Sequence, residues 1–336
     1  MVKRTSALKR AFGRPELPVL VAVLVLGGVF RLSSSNFLSS YNVYNLSRTA
    51  ALYMFIALSQ ASVLIVGGMN LSMGYIGGMT VVAVGFTMQN LGQPGWVAVI
   101  VGLLVGLVAG LLNGALITKL KINSFVVTLA TSFIFQGLIN GVSQGFPYTQ
   151  LAPGFTALGR GGLFNIPAML YLAVAVLIAV WYLFKYTVVG RHLLATGGNL
   201  PAARMAAVDT DRSILMANVL SGLFAAIAGV CSVSMNGAAQ PTTGVDWMIY
   251  SFAVAVIGCT SLAGGVISSV GIFLAAFLIV MITNGLVMMN ANIYYTQTYL
   301  GLILLVAVSL VSISAFVSEI RRRRRFLKEQ AHREGK

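Results

Sequence analysis

Two short stretches of uncharged polar residues carry the chemistry this sequence offers. They are Gly67-Gly68-Met69-Asn70-Leu71-Ser72-Met73-Gly74 and Gly258-Cys259-Thr260-Ser261-Leu262-Ala263-Gly264-Gly265, each set between apolar runs. A cytosolic turn normally carries Lys or Arg. A neutral, glycine-rich turn instead suits a place inside protein or along a cavity, where its freed backbone groups find partners. A tight solvent-side turn is the other reading. Amides and hydroxyls hydrogen-bond without charge, which suits a neutral, polyhydroxylated solute. Gln60, Thr128, Gln136, Tyr250 and Asn284 in neighbouring runs add groups of the same kind, and with Asn70 and Ser72 they are the candidate lining of a solute path. No catalytic residue, metal-ligand set or cofactor is expected.

Other chemistry is excluded by what is missing. Gly141-Val142-Ser143-Gln144-Gly145 fits G-x-S-x-G, but that elbow needs a strand-to-helix turn and a histidine in reach. Here it ends an apolar helix, while His192 falls in a loop on the opposite side and His332 in the tail. No G-x-x-x-x-G-K-[ST] phosphate loop is present, so this chain does not hydrolyse ATP by that route. No carboxylate lies in the middle of an apolar run, where ion-coupled carriers place one. Cys231 and Cys259 fall in apolar stretches and read as small buried hydrophobes.

The scaffold that must hold these groups follows from composition. Of 336 residues, 58% are apolar and 9% charged, against roughly 25% charged in soluble domains. The mean hydropathy is +0.89. A water-soluble globular enzyme is excluded. A helix crosses a bilayer with about 20 apolar residues, and apolar runs recur at 16–33, 48–67, 73–90, 94–117, 124–143, 166–186, 213–235, 247–263, 266–288 and 296–317. The expected fold is an all-α polytopic membrane protein with about ten transmembrane helices and both termini cytoplasmic. Charge supports that topology: with the N-terminus inside, nineteen Lys and Arg fall in inner segments and three (Arg31, Arg48, Arg160) in outer ones, the bias that marks cytoplasmic loops. The formal charge of +15 therefore speaks of lipid and topology, not of nucleic acid.

The expected layout is a basic cytoplasmic segment 1–15, a transmembrane domain 16–317 and a basic cytoplasmic tail 318–336. Two connections are long: an outer loop 144–165 and an inner loop 187–212. Gly102, Gly106, Gly110 and Gly114 repeat every four residues, as do Gly74 and Gly78, a spacing that lets helix backbones approach closely in lipid. Asn113-Gly114 and Asn284-Gly285 end apolar runs in the two halves, a faint hint of internal repetition.

Four segments in order resemble one family. GGMNLSMG (67–74) is similar to a G-G-x-D-L-S-x-G signature, and LITKLKINSFVVTLATSFIFQG (116–137) to a basic loop followed by P-F-[IV]-x-T-L. GRHLLATGGNLPAARMAAVDTDR (190–212) resembles G-R-x-x-x-A-x-G-x-N-x-x-A-A-R, and 256–284 resembles V-x-G-G-T-S-x-x-G-G-x-G-S. The family is the permease subunit of ATP-binding-cassette importers of the ribose/galactose/xylose type. Departures are Asn70 for the usual Asp, Ser124 for Pro, Pro201 for an acid and Ala207 for Gly.

The resemblance implies a borrowed motor: a cytoplasmic ATP-binding subunit, an extracellular or periplasmic substrate-binding protein, and a second permease, identical or paralogous, in a bacterial inner membrane. It implies that the inner loop forms a coupling helix, with Gly190, Arg191, Gly198, Asn199, Ala202, Ala203 and Arg204 at the ATPase contact. The sequence suits one: Asn199 can cap it, Pro201 is tolerated in a first turn, and Ala202, Ala203, Met205, Ala206 and Ala207 favour helix. Arg204 is expected to project toward the partner. The loops 144–165 and 236–247 would receive the binding protein. Two other classes stay open: a stand-alone carrier or facilitator, and a same-architecture importer for nucleosides, branched-chain amino acids or a furanose signal.

Overall fold

A computed structural model describes residues 16–258, 260–261 and 264–289, and beyond them only 295, 298, 299, 301, 302 and 305. Segment 1–15, Cys259, most of the run expected at 296–317 and the tail 318–336 lie outside the described residues. Residues up to Met289 form one unit and Asn290–Lys336 a second; the first is described here.

Among the described residues the elements are α1 (Leu17–Ser33), α2 (Ser40–Leu64), α3 (Met73–Gln89), α4 (Gly95–Lys119), α5 (Ser124–Ser143), α6 (Ala157–Arg160), the strand pair β1 (Gly162–Leu163) and β2 (Ile166–Pro167), α7 (Ala168–Tyr186), α8 (Val188–Gly198), α9 (Leu200–Met205), α10 (Thr210–Asn236), α11 (Trp247–Ile257) and α12 (Ser269–Met288). The described elements are helices apart from the antiparallel pair β1–β2 and an isolated Tyr148–Ala239 bridge.

The connections gather at two ends of the bundle, so successive long helices alternate in direction. At one end, Gln89 Oε1 accepts from the Thr149 and Gln150 amides (2.9 and 3.0 Å), Tyr148 bridges to Ala239, and Asn165 Nδ2 donates to Ser40 Oγ (2.6 Å). At the other, the Gly265 amide donates to Ile65 O (2.8 Å), Met69 N to Ser124 Oγ (3.3 Å), and Lys121 pairs with Asp211. These are called the Asn165 end and the Gly197 end below.

Why the helices pack as they do is written in the glycines. A Cβ on Gly106 would lie 2.4 Å from Gly222 O, and one on Gly110 2.4 Å from Asn218 O, so α4 and α10 run backbone against backbone. Gly74 and Gly78 face Gly244 O and Thr243 O at 2.2 and 2.6 Å in the same way. The four-residue glycine spacing is thus a packing device, as expected.

Among the described residues five helices are long and apolar enough to cross a membrane: α4, α5, α7, α10 and α12. The outward face of α4 is Ile100, Leu104, Val108 and Leu111, all exposed. The outward face of α7 closes with Trp181, Tyr182 and Tyr186, and Lys185 Nζ lies 4.7 Å from the Trp181 ring centre. That aromatic-cation cluster suits a membrane–water boundary. Helix α2 fails the same hydropathy criterion although it has 25 residues. From Ala50 to Ile65 every residue but Tyr53 is buried, so this helix meets protein on all sides and can carry Ser59, Gln60 and Ser62.

Three boundaries differ from expectation. Helix α2 begins at Ser40, not at 48, because Ser39 Oγ caps it by accepting from Asn42 N (3.3 Å); Arg48 therefore lies within the helix. Helix α11 stops at Ile257 after 11 residues, about 16 Å, and irregular backbone replaces the rest of the 247–263 run. The inner loop 187–212 is mostly helical, as α8, α9 and the start of α10.

Candidate translocation path and coupling end

At the Gly197 end, one side-chain network ties four segments together. Asn70 Oδ1 accepts from Ser72 N (3.0 Å) and Ser72 Oγ (2.8 Å), closing the turn on itself. Asn70 Nδ2 donates to Ser221 Oγ on α10 (2.8 Å). Ser221 in turn meets Ser59 on α2: the Ser59 hydroxyl donates to Ser221 O (2.8 Å), and the two Oγ atoms lie 3.0 Å apart. Ser72 Oγ accepts from Asn113 Nδ2 on α4 (2.8 Å). All five side chains are fully buried. Every side-chain polar atom of Asn70, Ser72, Ser59 and Ser221 has a hydrogen-bond partner, whereas the buried Asn113 Oδ1 has none. The polar side chains of the first neutral turn are thus buried in protein, while Gly67 and Met69 are exposed.

The other path candidates are placed differently. Thr128 is buried, with Oγ1 donating to Ser124 O (2.7 Å) and lying 3.4 Å from Met69 O, so it joins the same turn from α5. Gln60 is fully buried, and neither its Nε2 nor its Oε1 has a hydrogen-bond partner. Tyr250 on α11 stacks on Tyr53 of α2, ring centres 4.7 Å apart and tilted 33°. Asn284 sits at the Asn165 end in a reciprocal amide pair with Asn42, both bonds 3.0 Å. Gln136 is half-buried on α5. Asn70, Ser72 and Thr128 are brought together; Asn284 and Gln136 stand apart from them.

Sequence reasoning missed Ser59 and Ser221 and saw Asn113 only as half of a repeated dipeptide. Both Asn-Gly pairs do share a local logic: the amide bridges helices, while a Cβ on Gly114 or Gly285 would meet Leu215 or the Phe30 ring within 3 Å. The G-x-S-x-G pattern has no partner for catalysis. Ser143 Oγ donates to Ile139 O (2.7 Å) at the Asn165 end, whereas His192 lies in α8 at the other.

The coupling candidates form a bracket at the Gly197 end. Gly190 lets α8 turn against α7, since a Cβ there would lie 2.2 Å from Leu183 O. Arg191 is exposed. Asn199 caps α9 as expected, its Oδ1 accepting from Ala202 N (3.0 Å), with Pro201 in the first turn. Ala202 and Gly198 are exposed. Two candidates are placed differently from their neighbours. Ala203 is buried, 5% exposed, and so faces the chain itself. Arg204 is exposed but bends back, its Nε donating to Thr210 Oγ1 (3.2 Å). The side chain that stands out from α9 is Met205, 90% exposed. Helix α9 ends there, and Ala207 takes a left-handed conformation (φ 58°), the geometry for which glycine is suited.

The bracket docks on the bundle through backbone. A Cβ on Gly197 would lie 1.6 Å from Ile65 O, at the end of α2, and 2.8 Å from Gly265 N. Gly264 and Gly265 (φ 92° and 76°) lie against Gly197 and Gly198. The second neutral turn thus clamps the end of α8 onto the end of α2.

A helical bundle with apolar outward faces, an uncharged polar network in its interior and an exposed helical bracket is the build of a membrane permease. The chain matches the family described as branched-chain amino acid transport system / permease component over residues 42–308, and it belongs to that family. It is 35% identical over 298 residues to the ribose import permease protein RbsC of Bacillus subtilis, covering 88% of this chain and 91% of that one. It is 35% identical over 304 residues to the L-arabinose transport system permease protein AraH of Escherichia coli, covering 89% and 91%. The D-allose transport system permease protein AlsC of Escherichia coli is 28% identical over 292 residues, covering 87% and 89%. No solved structure matches the chain.

Proposed function

We propose that this chain is the transmembrane permease subunit of an ATP-binding-cassette importer for a sugar. The observation that carries the reading is the 35% identity to two sugar permeases over nearly nine-tenths of each chain. The Asn199-capped bracket supports it, because a permease without a phosphate loop needs a surface that a separate ATPase can push. In this reading the Gly197 end is cytoplasmic, both termini are cytoplasmic and about ten helices cross a bacterial inner membrane. Segment 1–15 and the tail 318–336 flank a transmembrane domain of 16–317.

Helices α8 and α9 seat on the ATP-binding subunit through Arg191, Gly198, Asn199, Ala202, Arg204 and Met205. The loops 144–165 and 236–247 receive the substrate-binding protein. A second permease, identical or paralogous, completes the pore, and Asn70, Ser72, Gln60, Thr128, Gln136, Asn284 and Tyr250 contribute to the path. ATP shifts the inward–outward equilibrium only as far as it binds one state more tightly than the other.

The test is a mild-detergent pull-down of the tagged chain from native membranes, followed by uptake of ribose, arabinose and allose. A stoichiometric partner carrying G-x-x-x-x-G-K-[ST], together with energy-dependent uptake of at least one sugar, is expected. Sugar uptake by proteoliposomes holding this chain alone would replace the importer with a stand-alone carrier. Met205→Asp should abolish uptake while leaving abundance unchanged, since Met205 makes no core contact. Normal uptake by that variant would remove the bracket from the ATPase contact.

A further inference from the structure

The segment between α10 and α11 does not stay at the Asn165 end. Ala239 bridges to Tyr148 there, and a Cβ on Gly85 of α3 would lie 2.5 Å from Ala239 Cβ. A few residues on, Thr243 O and Gly244 O meet Gly78 and Gly74 instead, at 2.6 and 2.2 Å from the Cβ each would carry. Gly85 and Gly74 are eleven residues apart, about 16 Å along α3. The chain therefore descends into the bundle along the glycine face of α3. It does so by turns, with Thr243 N donating to Gln240 O (3.0 Å) and Trp247 N to Gly244 O (3.1 Å). Gly244 is required for the descent: its φ is 99°, and a Cβ there would lie 2.1 Å from Gly74 O.

Helix α11 starts at the foot of this descent, which is why it holds only 11 residues. The Trp247 ring packs on Gly77, 2.4 Å from where its Cβ would stand. Tyr250 meets Tyr53, which lies thirteen residues after Ser40 in the 25-residue helix α2. Asp246 precedes Tyr250 by four residues, about 6 Å of helix. A carboxylate that reads as part of an outer loop in the sequence thus sits near mid-height of the bundle.

One side of the descent is open. Gln240, Thr242, Val245 and Asp246 are exposed, while the Thr243 and Gly244 carbonyls face α3. Irregular backbone at this depth is stable only inside protein or along a water-filled cavity, and a carboxylate there marks a solute or ion pathway. Hydrocarbon does not suit an amide, a hydroxyl and a carboxylate in a row. We propose that residues 240–246 line the solute path from the Asn165 end to mid-height, and that Asp246 accepts hydrogen bonds from adjacent hydroxyls of the transported sugar. Its two oxygens are acceptors only, and bonds from hydroxyls to a charged acceptor are short and strong. Of the loop 236–247, only residues 236–239 then stay at the rim for the binding protein. The path assignment rests on the permease reading above, and the role of Asp246 on the sugar reading.

The test has two arms, both in cells carrying the complete transporter. In the first, Thr242→Cys and Leu104→Cys are treated with a charged, water-soluble methanethiosulfonate, and the unmutated chain sets the background. Thr242→Cys should be modified at least tenfold faster than Leu104→Cys, which lies on the apolar outward face of α4. Equal rates would overturn the path assignment. In the second arm, uptake of labelled ribose, arabinose and allose is measured for Asp246→Leu and Asp246→Asn, with membrane abundance and the Tm of the purified assembly. Asp246→Leu should lose at least tenfold in uptake at wild-type abundance and Tm, and Asp246→Asn, which keeps one acceptor oxygen, should lose less. Retained uptake in Asp246→Leu, or uptake and Tm falling in parallel, would overturn the role of Asp246 while leaving the importer intact. If wild type takes up none of the three sugars, the sugar reading falls and the role of Asp246 with it, while the modification rates still judge the path.

Discussion

The two neutral, glycine-rich turns are near twins in composition and opposites in construction. In 67–74 the side chains do the holding: Asn70 and Ser72 bond each other, α4 and α10. In the described part of 258–265 the backbone does it: Gly265 N donates to Ile65 O, Thr260 N to Ala255 O (3.0 Å) and Ser261 N to Val266 O (3.2 Å). Its buried Thr260 hydroxyl has no partner. The first turn is a keystone whose side-chain polar atoms, on Asn70 and Ser72, are all hydrogen-bonded. The second is a clamp in which Gly264 and Gly265 pack on Gly197 and Gly198 while the Thr260 hydroxyl stays idle. Similar composition therefore does not imply similar mechanics.

The sharpest way to break this contrast is at the clamp. Gly197→Ala forces a Cβ to within 1.6 Å of Ile65 O, so α8 must lift from α2. Sugar uptake should fall more than tenfold while ATP hydrolysis by the assembly persists. The neighbouring Gly198→Ala meets nothing in this chain within 4 Å and should lose far less uptake than Gly197→Ala. Equal loss in both variants would show that the bracket, not the clamp, is sensitive.

The keystone comes next. Asn70→Leu strands the Ser72 and Ser221 groups, each stranded group costing about 1–3 kcal/mol, so a clear drop in Tm and loss of uptake are expected. Asn70→Asp keeps the acceptor for Ser72 and should be milder; an equally large drop would mean the amide proton to Ser221 dominates. At the clamp, by comparison, Thr260→Val removes only an idle hydroxyl. Its Tm should stay level or rise by the equivalent of about 1 kcal/mol, whereas a fall would reveal a hidden partner. The smallest effect is at the joint between α9 and α10: Ala207→Gly relieves a left-handed alanine and should stabilise by about 1 kcal/mol, read as a small rise in Tm.

Much of this was legible in the sequence, for physical reasons. The apolar runs located every long helix, because lipid demands continuous hydrophobicity of any segment it touches. The glycine spacing announced a close backbone contact along α4, though not that α10 makes it, and Asn199 with Pro201 announced the start of α9. What escaped notice depends on distant partners. The first turns of α2 read as an outer loop because Tyr41, Asn42 and Asn45 look hydrophilic, yet Asn42 is buried by its bonds to Phe37 O and Asn284. Ser59 and Ser221 are 162 residues apart, and nothing local marks two serines as a pair. Arg204 turned back because Thr210 waits six residues on, where helix α10 begins. Hydropathy failed on α2 for the converse reason: it reports the solvent a helix meets, and α2 meets protein.

The keystone has an electrical consequence. Asn70, Ser72, Ser59, Ser221 and Asn113 contain no ionisable group. Carrying one elementary charge through a membrane potential costs about 2.3 kcal/mol per 100 mV; displacing this network costs none of that. These five side chains therefore add no gating charge to a transport cycle and hold no proton that titrates near neutral pH.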